Sequence, residues 1–293
     1  MNSIRKLYCR AFQLVFRIAL PFLTYREPKL LEGVQGVAEL LARKNVSQVL
    51  LGTDKGIRSH GLTRPLEDAL AEAGIGVSVF DDTVANPTVA NVEAARRLYL
   101  DAGCRAIIAF GGGSSMDCAK ACGARIARPN KPLAKMEGLL HVMRPLPLLI
   151  AVPTTAGTGS ETTLAAVITD GESHHKYPIN DFALIPPYAL LDPEVTVGLP
   201  PQLTATTGMD AMTHAVEAYI GGSTTRGTRQ AAVEAVRLIL ESLPVAYANG
   251  GDRTARAHML RAAYLAGTAF TKSYVGYVHA VAHSLGGGGG GGP

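Results

Sequence analysis

The sequence predicts two domains, an α/β domain followed by an all-α domain. In the first two-thirds of the 293 residues, short apolar runs alternate with helix-like segments. Runs such as residues 47–52 and 104–110 are apolar almost throughout, which is typical of parallel strands covered on both faces. After Asp192-Pro193 the pattern changes to Ala-rich amphipathic helices separated by glycine, proline and asparagine. We therefore expect a parallel sheet followed by a helical bundle.

Each element follows from its own pattern. The predicted strands are short, largely apolar runs at residues 47–52, 76–80, 104–110, 146–152 and 165–169. The helices between them carry apolar residues on one face, at residues 64–73, 88–102 and 114–126. The later helices are predicted at residues 201–220, 227–243, 254–269 and 277–285.

The change of pattern places the domain boundary near residue 195. We predict four segments along the chain: an N-terminal helical extension at 1–27, the α/β domain at 28–195, the helical domain at 196–285 and a glycine tail at 286–293. Ligand sites often lie between two such domains.

Composition and charge argue against several classes of protein. With 47% hydrophobic and 18% charged residues, the chain does not have the composition of a disordered protein. Lys and Arg exceed Asp and Glu by only four and form no dense basic stripe, so we expect no nucleic-acid partner. The cysteines lack CxxC spacing and are predicted to be reduced thiols of a cytosolic protein: Cys9, Cys104, Cys118 and Cys122.

The N-terminal stretch at residues 11–23 is apolar but interrupted by Arg17 and Pro21. It is shorter than the roughly 20 residues that span a bilayer. We expect it to pack as a helix on the body of the protein. Weak contact with a membrane surface and a transit peptide are the alternatives.

Residues 111–117, GGGSSMD, form the first candidate binding loop. They follow a predicted strand and begin a predicted helix. The backbone of the glycines can approach a pyrophosphate closely, and the N–H groups at the N-terminus of the helix can bind it. Ser114 or Ser115 can cap the helix and donate to the phosphate. Met116 stands where the G-x-G-x-x-G fingerprint has its last glycine, so that fingerprint fits poorly. The alternative is a tight turn with a capped helix.

A second loop of small and hydroxylated residues follows another predicted strand. Residues 153–161, PTTAGTGSE, offer hydrogen-bond donors in a segment that can lie against a ligand. For this segment alone, a polar surface loop is the alternative. Because both loops follow parallel strands, we expect them at the carboxyl edge of the sheet, where α/β proteins bind nucleotides.

Asp54 follows the first predicted strand. A carboxylate there can accept a hydrogen bond from a ribose hydroxyl and would repel a 2′-phosphate, which favours NAD over NADP. A turn aspartate without a ligand is the alternative.

Two i, i+4 pairs of potential metal ligands lie in the helical part. Asp210 and His214 share one helix face, and His279 and His283 repeat the spacing on another predicted helix. Carboxylate oxygen and imidazole nitrogen suit Fe²⁺ or Zn²⁺. A hydrogen bond within each pair is the alternative, but two pairs on two helices favour a mononuclear metal site.

Four of these segments together resemble one family. Residues 199–219, LPPQLTATTGMDAMTHAVEAY, resemble the signature of the iron-containing (group III) alcohol dehydrogenases. GGGSSMDCAK and PTTAGTGSE are similar to the two cofactor loops of that family, and GYVHAVAHSLGG is similar to its second histidine motif. The resemblance extends over roughly residues 28–287.

The resemblance implies a dehydroquinate-synthase-like fold, in which a Rossmann-like NAD-binding domain precedes a helical metal-binding domain. It also implies reversible oxidation of a primary alcohol to an aldehyde, with the metal, Fe²⁺ or alternatively Zn²⁺, as Lewis acid and hydride transfer to the nicotinamide. By position it assigns the metal ligands Asp210, His214 and His279, and a catalytic His283 that relays a proton. It assigns these cofactor-binding residues: Asp54, Gly112, Gly113, Ser114, Asp117, Thr154, Thr155, Thr158 and Lys176.

The sequence departs from the family at its end. The resemblance places a fourth metal ligand, a histidine, at position 293, where this chain has Pro293 after a run of glycines. We therefore expect a C-terminally truncated member with an incomplete helical domain. The alternatives are an inactive remnant that binds only NAD, and a polyol dehydrogenase or hydroxyacid–oxoacid transhydrogenase on the same fold. The family likeness also implies a cytoplasmic homodimer that acts on a small alcohol or aldehyde.

Overall fold

The computed structural model describes residues 25–171, 173, 175–222 and 224–273. Several predictions lie outside these residues: those for most of the N-terminal extension, Cys9, the helix at 277–285, His279, His283 and the glycine tail.

A six-stranded parallel sheet organises the first part of the described chain. In chain order the strands of the described residues are β1 (Lys29–Leu30), β2 (Gln48–Gly52), β3 (Gly76–Phe80), β4 (Ala106–Gly111), β5 (Gly138–Leu139), β6 (Leu148–Pro153), β7 (Ala165–Thr169), β8 (Lys176–Asn180) and β9 (Tyr188–Ala189). The main sheet has the order β1-β9-β6-β4-β2-β3, and each neighbouring pair is parallel. The predicted parallel sheet is confirmed.

Helices cover both faces of this sheet. In chain order the α-helices of the described residues are α1 (Gly33–Arg43), α2 (Lys55–Ser59), α3 (Arg64–Glu72), α4 (Val89–Asp101), α5 (Gly113–Ala127), α6 (Pro201–Ile220), α7 (Arg226–Ala248) and α8 (Arg253–Ser273). Successive strand residues point to opposite faces. Leu50 and Ile107 therefore belong to the core under α4 and α5, whereas Leu51 and Ile108 belong to the core under α1 and α3. This arrangement explains why the strands are apolar throughout.

The strand predicted at residues 165–169 forms, but it does not join the parallel sheet. β7 pairs antiparallel with β8, and β5 completes a separate sheet in the order β5-β8-β7. Between β6 and β7 the chain forms only a short 3₁₀ turn, Ser160–Thr162, and no crossover helix that would bring β7 back as a parallel neighbour. After β7 the chain reverses, and the Asp170 N–H donates to the His175 carbonyl at 2.8 Å. The expectation of a fifth strand in the parallel sheet was therefore wrong.

Three long helices, α6, α7 and α8, pack against one another after the sheet. Their contact surfaces are rich in alanine, including the fully buried Ala215 on α6, Ala235 on α7 and Ala266 on α8. Small side chains let helix axes approach closely, so this packing depends on the Ala-rich pattern seen in the sequence. No helix of the described residues has a stretch long and apolar enough to cross a bilayer.

Helix α7 extends beyond its predicted end at residue 243. It continues to Ala248 with Pro244 inside it. Proline removes the hydrogen bond to the carbonyl of the residue four positions earlier, here Leu240. Both Pro244 and Leu240 are exposed, so water can reach that carbonyl. The prediction failed because a solvent-facing proline can bend a helix without ending it.

A buried arginine fixes the start of α8 against the start of α6. Arg256 donates from Nη1 to Thr204 Oγ1 at 2.7 Å and from Nε to the Gly250 carbonyl at 3.0 Å. Its Nη2 donates to the Leu199 carbonyl at 3.2 Å. Because these donors are satisfied, the guanidinium can be buried without the usual cost of an isolated charge.

The cysteines of the described residues are free thiols. Cys104, Cys118 and Cys122 are all buried, and burial raises the pKa of Cys118 to about 12. A thiol that stays protonated is a poor nucleophile, as expected for reduced structural cysteines.

Two glycines close the contact between the loop after β6 and helix α8. A Cβ on Gly267 would lie 2.4 Å from Thr162 Oγ1 and 2.7 Å from the Gly159 carbonyl oxygen. Gly159 has a φ of +59°, and its Cβ would lie 2.6 Å from the Ala263 carbonyl oxygen. Neither position has room for a side chain, so the loop and the helix approach as closely as their backbones allow.

We expect Gly267→Ala to lower the free energy of unfolding by about 1–3 kcal/mol, the usual cost of overpacking. Gly227→Ala is the matched control, because Gly227 lies in the first turn of α7 with nothing within 4 Å of a Cβ. There the gain in helix propensity is worth up to about 1 kcal/mol. Urea unfolding of both variants measures the difference. Equal stabilities would contradict the close contact at Gly267.

Candidate active site

The candidate site is built on the carboxyl edge of the main sheet. Strands β2, β4 and β6 are parallel neighbours, so the residues that follow them meet at one edge. Those residues are Asp54, Gly112 and Thr154. The N–H of Thr154 donates to the Gly111 carbonyl at 3.0 Å, which joins the starts of the two predicted binding loops. Open α/β sheets bind ligands at this edge.

The first loop, residues 111–114, is shaped by glycine. Gly111 has a φ of +156°, and a Cβ there would lie 2.4 Å from Ser115 Oγ. Gly112 is the N-cap of α5, and no side chain caps the helix. The prediction that Ser114 or Ser115 caps α5 was therefore wrong, since the helix already begins at Gly113. An N-terminus without a side-chain cap presents its first N–H groups to an anion.

The second loop, residues 153–161, lies directly against the first. A Cβ on Gly112 would lie 3.4 Å from Thr155 Oγ1, and one on Gly113 would lie 3.1 Å from Thr158 Cγ2. Thr158 is exposed and Thr155 is half-buried, whereas Thr154 is buried behind them. The two loops thus form a cradle that larger residues at 112 and 113 would fill, which fits the pyrophosphate of a dinucleotide.

Ser114 and Lys176 come together through a third residue, Asn86. The N–H of Asn86 donates to Ser114 Oγ at 3.3 Å, and Lys176 Nζ donates to Asn86 Oδ1 at 2.7 Å. Asn86 has a left-handed backbone with a φ of +56°, which asparagine tolerates. Asn86 was not among the predicted site residues. These two hydrogen bonds bring the Lys176 ammonium to the rim of the cradle.

Asp54 lies at the same edge with a role in local structure. Its Oδ1 accepts from the Ile57 N–H at 2.9 Å and caps the short helix α2. The side chain is half-buried, and its backbone forms a β-bridge with Asp82 after β3. A cap that holds the carboxylate in place is compatible with a second contact to a ligand.

Asp117 faces the base of the second loop. Its Oδ1 accepts from Ser160 Oγ at 3.2 Å and its Oδ2 from the Val167 N–H at 3.0 Å. Desolvation raises the pKa of this carboxyl to about 6, against the lowering effect of nearby Lys120. Asp117 therefore links α5 to the second loop and to β7. The sequence predicted that it contacts the cofactor and did not predict this structural role.

Two buried ionisable residues near Asp117 were missed at the level of sequence. Lys120 is fully buried and Glu161 is 2% exposed. Burial lowers the pKa of Lys120 to about 8 and raises the pKa of Glu161 to about 7. Each is the last residue of one of the two quoted loop motifs, but nothing in the sequence signals that it is buried.

Asp210 and His214 lie one turn apart on α6. His214 is 6% exposed, and its ring centroid lies 4.5 Å from that of Phe270 on α8. A Cβ on Gly157 would lie 2.8 Å from Thr207 Cβ, so the second loop touches α6 three residues before Asp210. The cradle and the helix that carries Asp210 and His214 are thus parts of one region.

The donor set of this pair suits a divalent transition metal. One carboxylate and one imidazole on the same helix face provide half of a mononuclear site. Within the residues that the structure describes, no three His, Cys, Asp or Glu side chains form a metal-binding group. The third predicted ligand, His279, and the predicted catalytic His283 lie outside that part of the chain.

Comparison with known proteins agrees with this architecture. A family model described as iron-containing alcohol dehydrogenase matches residues 32–193, and one described as the C-terminal part of the same family matches residues 204–288. Alcohol dehydrogenase 4 of Saccharomyces cerevisiae (strain YJM789) is 39% identical over 255 residues, which cover 87% of this chain and 66% of the yeast protein. The chain thus spans about two thirds of the length of this relative.

Two solved structures are similar in fold as well as in sequence. The crystal structure of a 1,3-propanediol oxidoreductase gives a TM-score of 0.86 at 39% identity, covering 90% of this chain and 70% of that one. Sulfoacetaldehyde reductase from Bifidobacterium kashiwanohense, solved in complex with NAD⁺, gives 0.76 at 31% identity, covering 85% and 66%. The chain therefore belongs to the iron-containing alcohol dehydrogenase family.

Proposed function

We propose that this chain carries an NAD-dependent, metal-dependent alcohol dehydrogenase activity that interconverts a primary alcohol and an aldehyde. One observation carries the proposal: the loop that forms half of the cradle also touches α6 one turn before Asp210, at Gly157 and Thr207. A dinucleotide in the cradle and a metal on α6 would therefore be close neighbours, as hydride transfer to a nicotinamide requires.

The cofactor half of the site is proposed to bind NAD. The N-terminus of α5, with Gly112 and Gly113, would face the pyrophosphate, and the hydroxyls of Thr155 and Thr158 would line its other side. Thr154, Ser114 and Asp117 would hold these loops in place through the hydrogen bonds described above. Lys176 would contribute a positive charge at the rim, and Asp54 would accept from the ribose.

The metal half of the site is proposed to consist of Asp210, His214 and His279, with His283 nearby. A divalent cation would supply a Lewis acid and bound NAD⁺ would supply a hydride acceptor. The carboxylate of Asp210 would provide the negative charge that keeps a cation bound, and buried His214 would be held by Phe270. His283 is proposed to relay the proton that the alcohol loses, since an imidazole titrates near neutral pH.

The names of the relatives narrow the proposed chemistry. The yeast relative is an alcohol dehydrogenase and one structural neighbour is a 1,3-propanediol oxidoreductase, so we propose a small primary alcohol as substrate. The matching family model is described as iron-containing, so we propose Fe²⁺ as the metal, with Zn²⁺ as the alternative. A substrate panel that includes polyols and hydroxyacids separates the alternatives on the same fold. A cytoplasmic homodimer remains a proposal from the family likeness.

We expect Asp210→Asn to lower bound iron and to reduce kcat by about 100-fold or more, because a Lewis acid contributes several kcal/mol. The amide keeps the shape of the side chain but loses its negative charge. NAD⁺ binding should persist, since the cradle is built from other residues. Asp101→Asn, at the exposed end of α4, is the control that should leave all three quantities unchanged. Elemental analysis, alcohol-dependent NADH formation and calorimetry measure them.

Two outcomes would count against the metal-dependent function. Full turnover by a metal-free Asp210→Asn protein would exclude the role of Asp210. NAD⁺ binding by the unaltered chain without metal or turnover would instead support the remnant that binds only NAD.

We expect Asp54→Asn to weaken the preference for NAD⁺ over NADP⁺, expressed as the ratio of kcat/KM values, by about tenfold. Asparagine is also a good helix cap, so α2 should be retained while the charge that would repel a 2′-phosphate is lost. Steady-state kinetics with both cofactors give the ratio. An unchanged ratio would assign Asp54 to the capping of α2 alone.

A further inference from the structure

Residues 25–28, which we call the strap, join the edge of the main sheet to helix α8. The strap leads directly into β1, which pairs with β9 at that edge. Nη2 of Arg26 donates to the Ile185 carbonyl at 2.8 Å, so the strap is also fixed to the connection before β9. One side of the strap is therefore held by the α/β part of the chain.

The other side of the strap contacts the second half of α8. The hydroxyl of Tyr264 donates to the Pro28 carbonyl at 2.8 Å. Further along the helix, Nζ of Lys272 lies 2.8 Å from Glu27 Oε1 and 4.3 Å from the centroid of the Tyr25 ring. A hydrogen bond, an ion pair and a cation–π contact thus hold α8 at two points, about two helical turns apart.

The hydrogen bond from Tyr264 is the firmer of the two attachments. Tyr264 is 5% exposed and Pro28 is buried, so little water reaches the bond. Loss of the hydroxyl would leave a buried carbonyl without a donor, which costs more than the bond itself contributes. The side chains of Lys272 and Glu27 are 28% and 56% exposed, so water screens their ion pair and weakens it.

The stretch of α8 that the strap holds also packs against the proposed metal ligand His214. Phe270 lies between the two attachments along α8, and its ring centroid is 4.5 Å from that of His214. His214 is on α6, so a shift of the second half of α8 would move the ring against which the imidazole rests. Metal affinity depends on how well such neighbours orient a ligand.

We propose that Tyr264 is a positioning residue for the metal half of the site, because its hydrogen bond to the strap holds α8 where Phe270 packs against His214. The inference rests on the proposed function, since it presupposes that His214 binds a metal. It extends the site to a residue that is neither a proposed ligand nor part of the cradle.

The test compares Tyr264→Phe with Tyr247→Phe, which removes the same hydroxyl from an exposed tyrosine near the end of α7. Co²⁺ is the probe, because its visible absorption depends on the geometry of its ligands. In Tyr264→Phe we expect the Kd for Co²⁺ to rise about fivefold and the absorption bands to shift. The Kd for NAD⁺ should stay within about twofold, because Asp117 holds the second loop from the side of α5. Tyr247→Phe should match the unaltered chain in all three quantities.

A second comparison separates this role from a general contribution to stability. Glu27→Gln removes the charge that pairs with Lys272, and Glu194→Gln removes the charge that pairs with Arg253 at the start of α8. Each ion pair joins α8 to another part of the chain, but only the first lies within one turn of Phe270. We expect the Kd for Co²⁺ to rise about twofold in Glu27→Gln and to stay unchanged in Glu194→Gln.

The possible results separate the two proposals. An unchanged Kd for Co²⁺ in Tyr264→Phe would overturn the inference, even if the melting temperature falls. An equal rise in Glu27→Gln and Glu194→Gln would also overturn it, because closeness to Phe270 would then not matter. If Tyr264→Phe does not fold, the two glutamate variants decide alone. Failure of the unaltered chain to bind Co²⁺ would overturn the metal half of the proposed function and this inference together.

Discussion

The contact that the rest of the site depends on is the close approach of the second loop to the helical part. Gly157 lies against Thr207 on α6, and Gly159 lies against Gly267 on α8 at backbone distance. The same loop faces Gly112 and Gly113 on its other side. A segment of small residues thus separates the cradle from the helix that carries Asp210 and His214. Larger residues in it would push the two halves of the site apart.

Much of the architecture could be predicted from the sequence because it depends on local patterns. Apolar runs predict β2, β4 and β6, since a strand covered on both faces has no polar side. The position of both loops follows, because the ends of parallel strands share one edge. The spacing of Asp210 and His214 places them on one helix face without any knowledge of tertiary structure.

The failures concern features that depend on distant partners or on solvent. The pairing of β7 with β8 is decided by the turn after Thr169 and by the lack of a crossover helix. Pro244 stays within α7 because its side of the helix faces water. Helix α5 begins at Gly113, with Gly112 in the N-cap position. The hydroxyls of Ser114 and Ser115 therefore do not set where the helix starts. The burial of Lys120 and Glu161 could not be predicted, because a buried charge is stable only with partners supplied by other elements.

We propose that one region of this chain holds a dinucleotide beside a metal, and a crystal structure with NAD⁺ and Fe²⁺ is the direct test. Anomalous scattering at the iron edge locates the metal independently of the refined coordinates. We expect an iron peak at Asp210 and His214, with the pyrophosphate at Gly112 and Gly113. A peak at other residues, or a dinucleotide bound away from this edge of the sheet, would contradict it.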